Sequence, residues 1–259
     1  MKILACVKLV PDSAATVTVE GGRVTWGDAK MVINPWDEYA VEVGLQQTET
    51  LGGDVIALTM GKEQSTEALK HALAMGAKEA ILVSDPALAE TDSAGVAQVL
   101  AAAIRKAGGV DMVVFGKQAI DSDSGATSVQ TGRVLGWPVL TLVSKVRSVD
   151  PAAGSIVVER SIEEGEQVVE AKLPVVLSFV KKVAEPRYPS FMGIRKAAKA
   201  QIPTWSLADL GITAPAAVVH WPEVLNLPKR EIVTEIITGD TPEQIAGSLA
   251  DKIMAEKVL

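Results

Sequence analysis

The sequence is poor in cysteine, in aromatic residues and in long apolar runs. One cysteine, Cys6, stands among 259 residues, which excludes an intrachain disulfide and any zinc or iron–sulfur site built from several cysteines. No apolar run approaches the ~20 residues of a transmembrane helix. The opening MKILACVKLV is too short and too charged for a signal peptide. We therefore expect a cytoplasmic protein that is not embedded in a membrane.

Basic residues are also fewer than acidic residues in this sequence. The chain carries 25 Lys and Arg against 32 Asp and Glu, a net charge of −7. Binding to nucleic acid without regard to sequence needs a basic face that releases phosphate counterions. The charge balance therefore argues against a nucleic-acid partner.

The sequence also shows no recognisable pattern of catalytic residues or of metal ligands. The two histidines, His71 and His220, lie far apart and have no cysteine beside them. The acids at Glu163, Glu164 and Glu166 sit in a hairpin turn, where consecutive carboxylates are usually solvated. We predict no catalytic residue and no metal, which favours binding or electron transfer over hydrolysis.

What the sequence does contain is a regular alternation of short apolar runs and helical segments. One helix has both ends marked, with Asn34 as predicted N-cap, Pro35 at its first position and Gly52-Gly53 after its end. Aliphatic runs such as DVIALTM, EAILVS and DMVVFG are typical of strands that are buried on both faces. The pattern predicts an α/β fold with a doubly wound, mostly parallel sheet, which binds ligands at the carboxyl ends of its strands.

The rhythm changes in the second half of the chain. The runs SIVVERSI, QVVEAKL and PVVLSFV, between residues 146 and 180, predict a small antiparallel addition to the sheet. Seven of the thirteen prolines follow Lys181, so we expect an extended arm over residues 184–239 and a closing helix over 241–259. The predicted domains are a nucleotide-binding α/β domain over 1–184 and an arm over 185–259.

The loop GKQAIDSDSGATS joins a predicted strand to a predicted helix. Ser124, Thr127 and Ser128 stand at the start of that helix, where amides and hydroxyls can receive a phosphate. Asp121 and Asp123 would meet a ribose or simply cap the helix. No G-x-G-x-x-G or G-x-x-x-x-G-K motif occurs, so both a nucleotide site and an empty capped loop remain open from this stretch alone.

A basic segment with exposed-looking apolar residues interrupts the acidic chain. Residues 181–200 carry six basic residues and one acid, a local charge of +5 that leaves −12 for the remainder. Tyr188, Phe191 and Met192 lie within it. Such a composition is typical of a surface that meets a charged partner.

The stretch VERSIEEGEQVVEAKLPVVLS, residues 158–178, resembles the sequence signature of the electron transfer flavoprotein β subunit. Its constrained positions are all met, including Arg160, the 163–165 turn and Pro174. The stretches CVKLVPD, INPWDEYAVE, GKQAIDSDS and EPRYPSFMGIRKAAKAQI resemble further landmarks of that family, in the same order. The role of Arg160 within the pattern stays open.

The resemblance implies a sheet of the adenine-nucleotide α-hydrolase-like type and a C-terminal arm that wraps an α subunit. The α subunit would hold the electron-carrying FAD, and this chain would bury AMP or, in electron-bifurcating members, a second FAD. The implied cofactor-binding residues are Cys6, Asn34, Trp36, Met60, Asp121, Ser122, Asp123 and Thr127.

The resemblance also implies a recognition loop over residues 185–200, with Phe191 as an apolar anchor for a partner dehydrogenase. The implied docking residues are Tyr188, Phe191, Met192, Arg195, Lys196 and Lys199. The phosphate loop departs from the family pattern, since residues 125–128 are Gly-Ala-Thr-Ser, without the carboxamides usual in AMP-binding members. We expect AMP over a second FAD.

The expected function is that of the β subunit of a heterodimeric electron transfer flavoprotein in a bacterial or archaeal cytoplasm. It would shuttle electrons between flavin dehydrogenases of the acyl-CoA dehydrogenase type and a downstream acceptor, without bond-making chemistry of its own. One alternative is an electron-bifurcating β subunit with its own FAD and NADH as donor, which would make it an NADH-dependent flavin oxidoreductase. An alternative of another class is a stand-alone ATP-binding module of universal-stress type.

Overall fold

Two compact units make up the chain, Met1–Val224 and Leu225–Leu259. The computed structural model describes residues 1–221, 223–226, 228 and 233–256. The strands are β1 Lys2–Cys6, β2 Leu9–Pro11, β3 Thr18–Glu20, β4 Arg23–Thr25, β5 Met31–Ile33, β6 Asp54–Met60, β7 Glu79–Val83, β8 Met112–Gly116, β9 Val139–Asp150, β10 Ser155–Ile162, β11 Gly165–Lys172, β12 Val175–Phe179 and β13 Thr204–Trp205. The helices are α1 Pro35–Leu51, α2 Thr66–Met75, α3 Ser93–Ala107, α4 Thr127–Leu135, α5 Phe191–Ala197, α6 Leu207–Leu210 and α7 Pro242–Ala255.

A nine-stranded sheet of order β11-β10-β9-β12-β8-β1-β6-β7-β13 forms the centre of the first unit. Strand β1 pairs in parallel with β6 and β8, and β6 pairs in parallel with β7. The carboxyl ends of these strands therefore lie along one edge of the sheet. The predicted α/β fold with a mostly parallel sheet and a small antiparallel addition is confirmed.

Helices cover both faces of the sheet. One core cluster packs side chains of α1 and α2, such as Val41 and Leu69, against one face. The other packs side chains of α3, such as Leu100 and Ile104, against the opposite face. Because both faces are covered, the interiors of the central strands are largely aliphatic, as in the residues Ile3–Ala5 of β1 and Val55–Leu58 of β6.

Strand β12 differs from its prediction. The sequence pattern predicts the run PVVLSFV in the antiparallel addition, but β12 lies inside the sheet and pairs in parallel with both β8 and β9. Every residue of β12 is buried, as a central parallel strand requires. The short connection from β11 resembled a hairpin in the sequence, whereas the chain passes to the other side of β9.

Arg160 forms hydrogen bonds with β9 where that strand leaves the parallel part of the sheet. The register of β9 shifts against β10 near Arg160, and Leu142 takes a left-handed conformation with φ 58°. The Arg160 guanidinium donates from Nε to the carbonyl oxygen of Thr141 at 2.7 Å and from Nη2 to its hydroxyl at 3.0 Å. Arg160 thereby satisfies polar groups that the irregular ladder leaves unpaired.

The segment after β12 is more regular than the predicted extended arm. Helix α5 begins after Ser190, whose hydroxyl accepts from the Gly193 amide at 2.9 Å. Strand β13 then pairs in parallel with β7 at the sheet edge. Pro186 and Pro189 precede α5, and Pro203 lies between α5 and β13, so these three prolines interrupt no hydrogen bond of a helix interior.

The second unit contains α7, which begins after the N-cap residue Thr241. This confirms the predicted closing helix, which ends at Ala255, earlier than predicted; residues 257–259 of the prediction lie outside the described residues. None of the helices in the described ranges is long and apolar enough to cross a membrane.

Candidate functional site

An open cleft of about 990 Å³ lies at the carboxyl ends of β1, β6 and β8. Its floor includes the last residues of these strands, and one side is formed by the loop after β8 and the first turn of α4. The tip of the β3–β4 hairpin and residues 89–93 also contribute. The cleft occupies the edge where doubly wound sheets bind ligands.

Five of the eight residues predicted to bind a cofactor line this cleft. They are Cys6, Asn34, Met60, Ser122 and Thr127. They come from the ends of β1 and β6, the residue before α1, the loop before α4 and the first residue of α4, which the sheet topology brings together. Their role in binding a nucleotide stays a prediction.

The other three predicted residues lie one contact away from the lining. Asp121 accepts from the Lys8 ammonium at 2.7 Å, and Asp123, in a left-handed conformation, accepts from the Gln118 side chain. Both Lys8 and Gln118 line the cleft. The two carboxylates therefore position lining residues.

Trp36 is the third of these residues. Its ring lies beneath two lysine ammonium groups, Lys181 at 5.1 Å and Lys117 at 5.6 Å from the ring centre. A cation above an aromatic face is attracted by the ring quadrupole. Two positive charges therefore lie over the partly buried indole, next to the cleft.

Asn34 has a different role from the predicted helix cap. It occupies the N-cap position of α1, but its side chain makes no cap hydrogen bond. Instead its amide donates to the Gln118 carbonyl at 2.8 Å, and its oxygen accepts from the Ile120 amide at 3.3 Å. Asn34 thus joins the start of α1 to the loop after β8 and shapes one side of the cleft.

Asp37 is a site residue that the sequence did not single out beyond its place in the first helical turn. It is buried and accepts from the amides of Lys8 at 2.8 Å and Gly116 at 3.2 Å. Burial raises the pKa of Asp37 to about 7, although hydrogen bonds from Asn34, Lys8 and Gly116 act in the opposite direction. Burial and the Asp37 charge also raise the pKa of the Cys6 thiol, so Cys6 is an unreactive floor residue.

Gly116 allows the close approach of α1 to the end of β8. A Cβ at this position would lie 2.5 Å from Asp37 Oδ1 and 2.6 Å from Trp36 Cβ. Real Cβ atoms do not approach other atoms this closely, so the site needs glycine here.

The start of α4 offers unpaired polar groups to the cleft. The helix begins without a side-chain cap, and the first amides of a helix have no intrahelical partner. Ser128 is 3% exposed and lines the cleft, yet its hydroxyl has no hydrogen-bond partner among the described residues. Free amides and a buried hydroxyl at a helix N-terminus fit an anion such as phosphate.

Residues near the C-terminal end of the first unit also line the cleft. The sequence analysis did not predict their contribution. Ala217, Val219, His220, Trp221 and Val224 line it. No local motif marks them, because they reach the cleft only through the tertiary fold. The described residues contain no cluster of three or more His, Cys, Asp or Glu that fits a metal ion.

The predicted docking residues lie on the surface. Tyr188 is exposed, and Phe191 and Met192, at the start of α5, are 74% and 69% exposed. The Arg195 guanidinium lies over the Phe191 ring at 6.0 Å. Lys196 and Lys199 are exposed as well, so the segment presents an apolar patch within a basic rim.

Arg187 anchors this segment on α1. Its guanidinium donates from Nε to Glu42 Oε2 at 2.7 Å and from Nη1 to Glu49 Oε1 at 2.5 Å. Burial raises the pKa of Glu42, but hydrogen bonds from Arg187 and Gln46 outweigh it and hold the value below the ordinary one. One of the six basic residues of the segment is therefore neutralised and holds it in place.

Comparison with known proteins places these features in a family. The family model for the electron transfer flavoprotein domain matches residues 24–210. The caffeyl-CoA reductase-Etf complex subunit CarD of Acetobacterium woodii is 35% identical over 265 residues, covering all of both chains.

Two further relatives agree with this match. The electron transfer flavoprotein subunit beta of Thermoanaerobacterium thermosaccharolyticum is 33% identical over 276 residues, again covering all of both chains. Protein FixA of Azorhizobium caulinodans is 36% identical over 217 residues, which is 82% of this chain and 77% of the relative. Family model, relatives and fold agree: the chain belongs to the electron transfer flavoprotein family and is similar to its β subunits along its whole length.

Proposed function

We propose that this chain pairs with an electron transfer flavoprotein α subunit and serves electron transfer between flavin dehydrogenases of the acyl-CoA dehydrogenase type and a downstream acceptor. The FAD held mainly by the α subunit would accept and donate the electrons. The chain itself supplies a nucleotide site, a surface for the α subunit and, over residues 185–200, a docking segment for the redox partner. In this proposal the heterodimer transfers electrons in the cytoplasm.

The nucleotide in the cleft is AMP in this proposal. The observation that carries the nucleotide site is the start of α4, where Ser128 is buried without a partner among the described residues, beside amides that no side chain caps. These groups would hold the phosphate. Cys6 and Met60 on the floor would contact the nucleoside chiefly through backbone and apolar atoms, while Asn34 keeps the loop in place.

Trp36 would face the flavin of the α subunit in this arrangement. Its ring is held by Lys117 and Lys181, which place positive charge next to the surface that receives a reduced and therefore more negative flavin. Positive charge stabilises a nearby negative group. The residues of this chain would thereby favour electron residence on the flavin without contributing a reactive group.

Different residues of the docking segment would provide binding affinity and a fast association rate. Phe191 is an exposed apolar residue that can enter a pocket on the partner. Arg195, Lys196 and Lys199 form a positive rim that accelerates encounter more than it prolongs the complex. The arm over 185–259 would wrap the α subunit.

The proposal is tested by preparing the chain together with its α subunit. We expect a yellow heterodimer whose flavin is reduced by an acyl-CoA dehydrogenase with its substrate. Denaturing the heterodimer and identifying the released nucleotides by mass should give FAD and AMP. A colourless heterodimer would refute the electron-transfer role, and the release of FAD without AMP would refute the AMP assignment.

A second candidate is an electron-bifurcating β subunit with FAD in the cleft and NADH as donor. The cleft volume of about 990 Å³ stands at the upper end of the ~300–1,000 Å³ common for ligand pockets, and a dinucleotide uses such space better than AMP. The similarity to a subunit of a caffeyl-CoA reductase-Etf complex points in the same direction. Two flavins per heterodimer together with reduction by NADH would select this candidate, and one flavin would exclude it.

A further inference from the structure

Residues 215–221, here called the cleft-side segment, are fastened to the start of α3. Asp92 Oδ2 accepts from the amides of Val218 at 2.8 Å and Val219 at 3.1 Å. The other oxygen of Asp92 accepts from the Gly95 amide at 2.8 Å and caps α3. One carboxylate therefore joins the helix to a segment more than 120 residues away in the chain.

Glycine at position 95 makes room for this attachment. A Cβ on Gly95 would lie 3.2 Å from Pro215 Cβ and 2.5 Å from Thr91 Cγ2. The cleft-side segment therefore packs directly on the first turn of α3. Two independent contacts, one polar and one steric, hold it there.

This attachment sets Trp221 at the cleft. Trp221 is one of the residues that line the cleft, and it is 81% exposed. Trp36 and Trp205 each have a lysine ammonium over the ring, whereas within the described part of the chain no cation lies over Trp221. An exposed indole ring that no described cation covers is thus available at the edge of the cleft.

We propose that Trp221 stacks on the flat ring system of the nucleotide in the cleft and that Asp92 is the residue that positions it. An indole provides a flat apolar face for a purine or a flavin ring, and this contact does not depend on one particular base. The phosphate end of the ligand would be held at α4 and the ring end by Trp221. The inference rests on the proposed nucleotide function of the cleft.

The experiment uses the heterodimer with the α-held flavin in place and the cleft emptied of nucleotide. The dissociation constants of AMP and of FAD are measured by calorimetry for the wild type and for Trp221→Leu and Trp221→Phe. We expect the nucleotide that the wild type binds to bind about 5- to 150-fold more weakly to Trp221→Leu, the range seen when base stacking is removed. Trp221→Phe, which keeps a ring, should recover most of the affinity.

Asp92→Asn tests the positioning role. Asparagine retains one oxygen and remains a good N-cap, but its amino group cannot accept from the Val218 and Val219 amides. The variant should bind the nucleotide more weakly with an unchanged melting temperature. In the double variant with Trp221→Leu the two losses should not multiply, because both remove the same contact.

Val218→Ala is the matched control. Val218 belongs to the cleft-side segment and its side chain is exposed, but it is not part of the lining. Its backbone amide still reaches Asp92, so affinity should not change. A wild-type heterodimer that binds neither AMP nor FAD would refute the nucleotide function itself, whereas equal binding by wild type and Trp221→Leu would refute only the role of Trp221.

Discussion

Replacing Arg187 should release the docking segment without unfolding the sheet. The Glu42 side chain is 5% exposed and in Arg187→Met would lose the guanidinium bonds of 2.7 and 3.1 Å. It would keep the Gln46 amide at 2.8 Å and the backbone amide at 187. Breaking a buried pair costs about 3–5 kcal/mol when the remaining charge is left bare, so these two remaining bonds reduce the expected cost to about 2–3 kcal/mol.

Glu49 supplies the matched control. Its side chain is 58% exposed, and an exposed ion pair contributes about 0–1 kcal/mol. Glu49→Gln should therefore weaken the attachment of the segment far less than Arg187→Met. The comparison separates the buried half of the Arg187 network from its solvated half.

Hydrogen exchange of the α5 amides in the heterodimer measures this attachment. A loss of about 2–3 kcal/mol in local opening free energy corresponds to roughly 30- to 150-fold faster exchange, since each 1.4 kcal/mol is tenfold. The pKa of Glu42 is lower in the folded state than its ordinary 4.5. The stabilisation by this carboxylate is therefore present above pH 4.5 and is lost as the pH falls through the depressed pKa. Equal exchange in Arg187→Met and Glu49→Gln would refute the reasoning.

Three further predictions follow from the site and the surface. Phe191→Ala should slow electron exchange with the partner dehydrogenase at least several-fold while flavin content and melting temperature stay constant, because the side chain is 74% exposed; a fall in melting temperature would instead make it a core residue. Gly116→Ala should destabilise the chain by about 1–3 kcal/mol, since its Cβ would overlap Asp37 and Trp36; an unchanged denaturation midpoint would contradict the close approach. Asp37 has a folded pKa raised from 3.8 to about 7, so the stability should fall as the pH rises through this interval and level off above it; Asp37→Asn should flatten that slope, and a slope unaffected by the substitution would exclude Asp37 as its source.

Much of the fold could be predicted because its signals are local. The helix from Pro35 to Leu51 carries a proline at its start and glycines after its end, and the central strands are continuous aliphatic runs. Strand β12 could not be placed in this way, because its position between β8 and β9 depends on a chain crossing that its own residues do not encode. Helix α5 was missed because seven residues are too few to show a clear helical period.

Some residues of the candidate site could be predicted from the sequence, and others could not. Cys6, Asn34 and Met60 could be proposed from a family pattern, and the structure brings all three to one cleft. The sequence could not indicate that Asp37 is buried or that Trp221 reaches the cleft. Both depend on neighbours distant in the chain, such as Gly116 for Asp37 and Asp92 for the cleft-side segment.

By itself the sequence determined the class of fold, the family and the chemical character of each segment. Periodicity, caps and composition act over a few residues, so they can be recognised without knowledge of the rest of the chain. Only the tertiary structure decided which polar groups are buried together, which basic residue anchors the docking segment and which aromatic faces the cleft. Burial, pKa shifts and ion-pair strength depend on neighbours in space, and the sheet topology chooses those neighbours from distant parts of the chain.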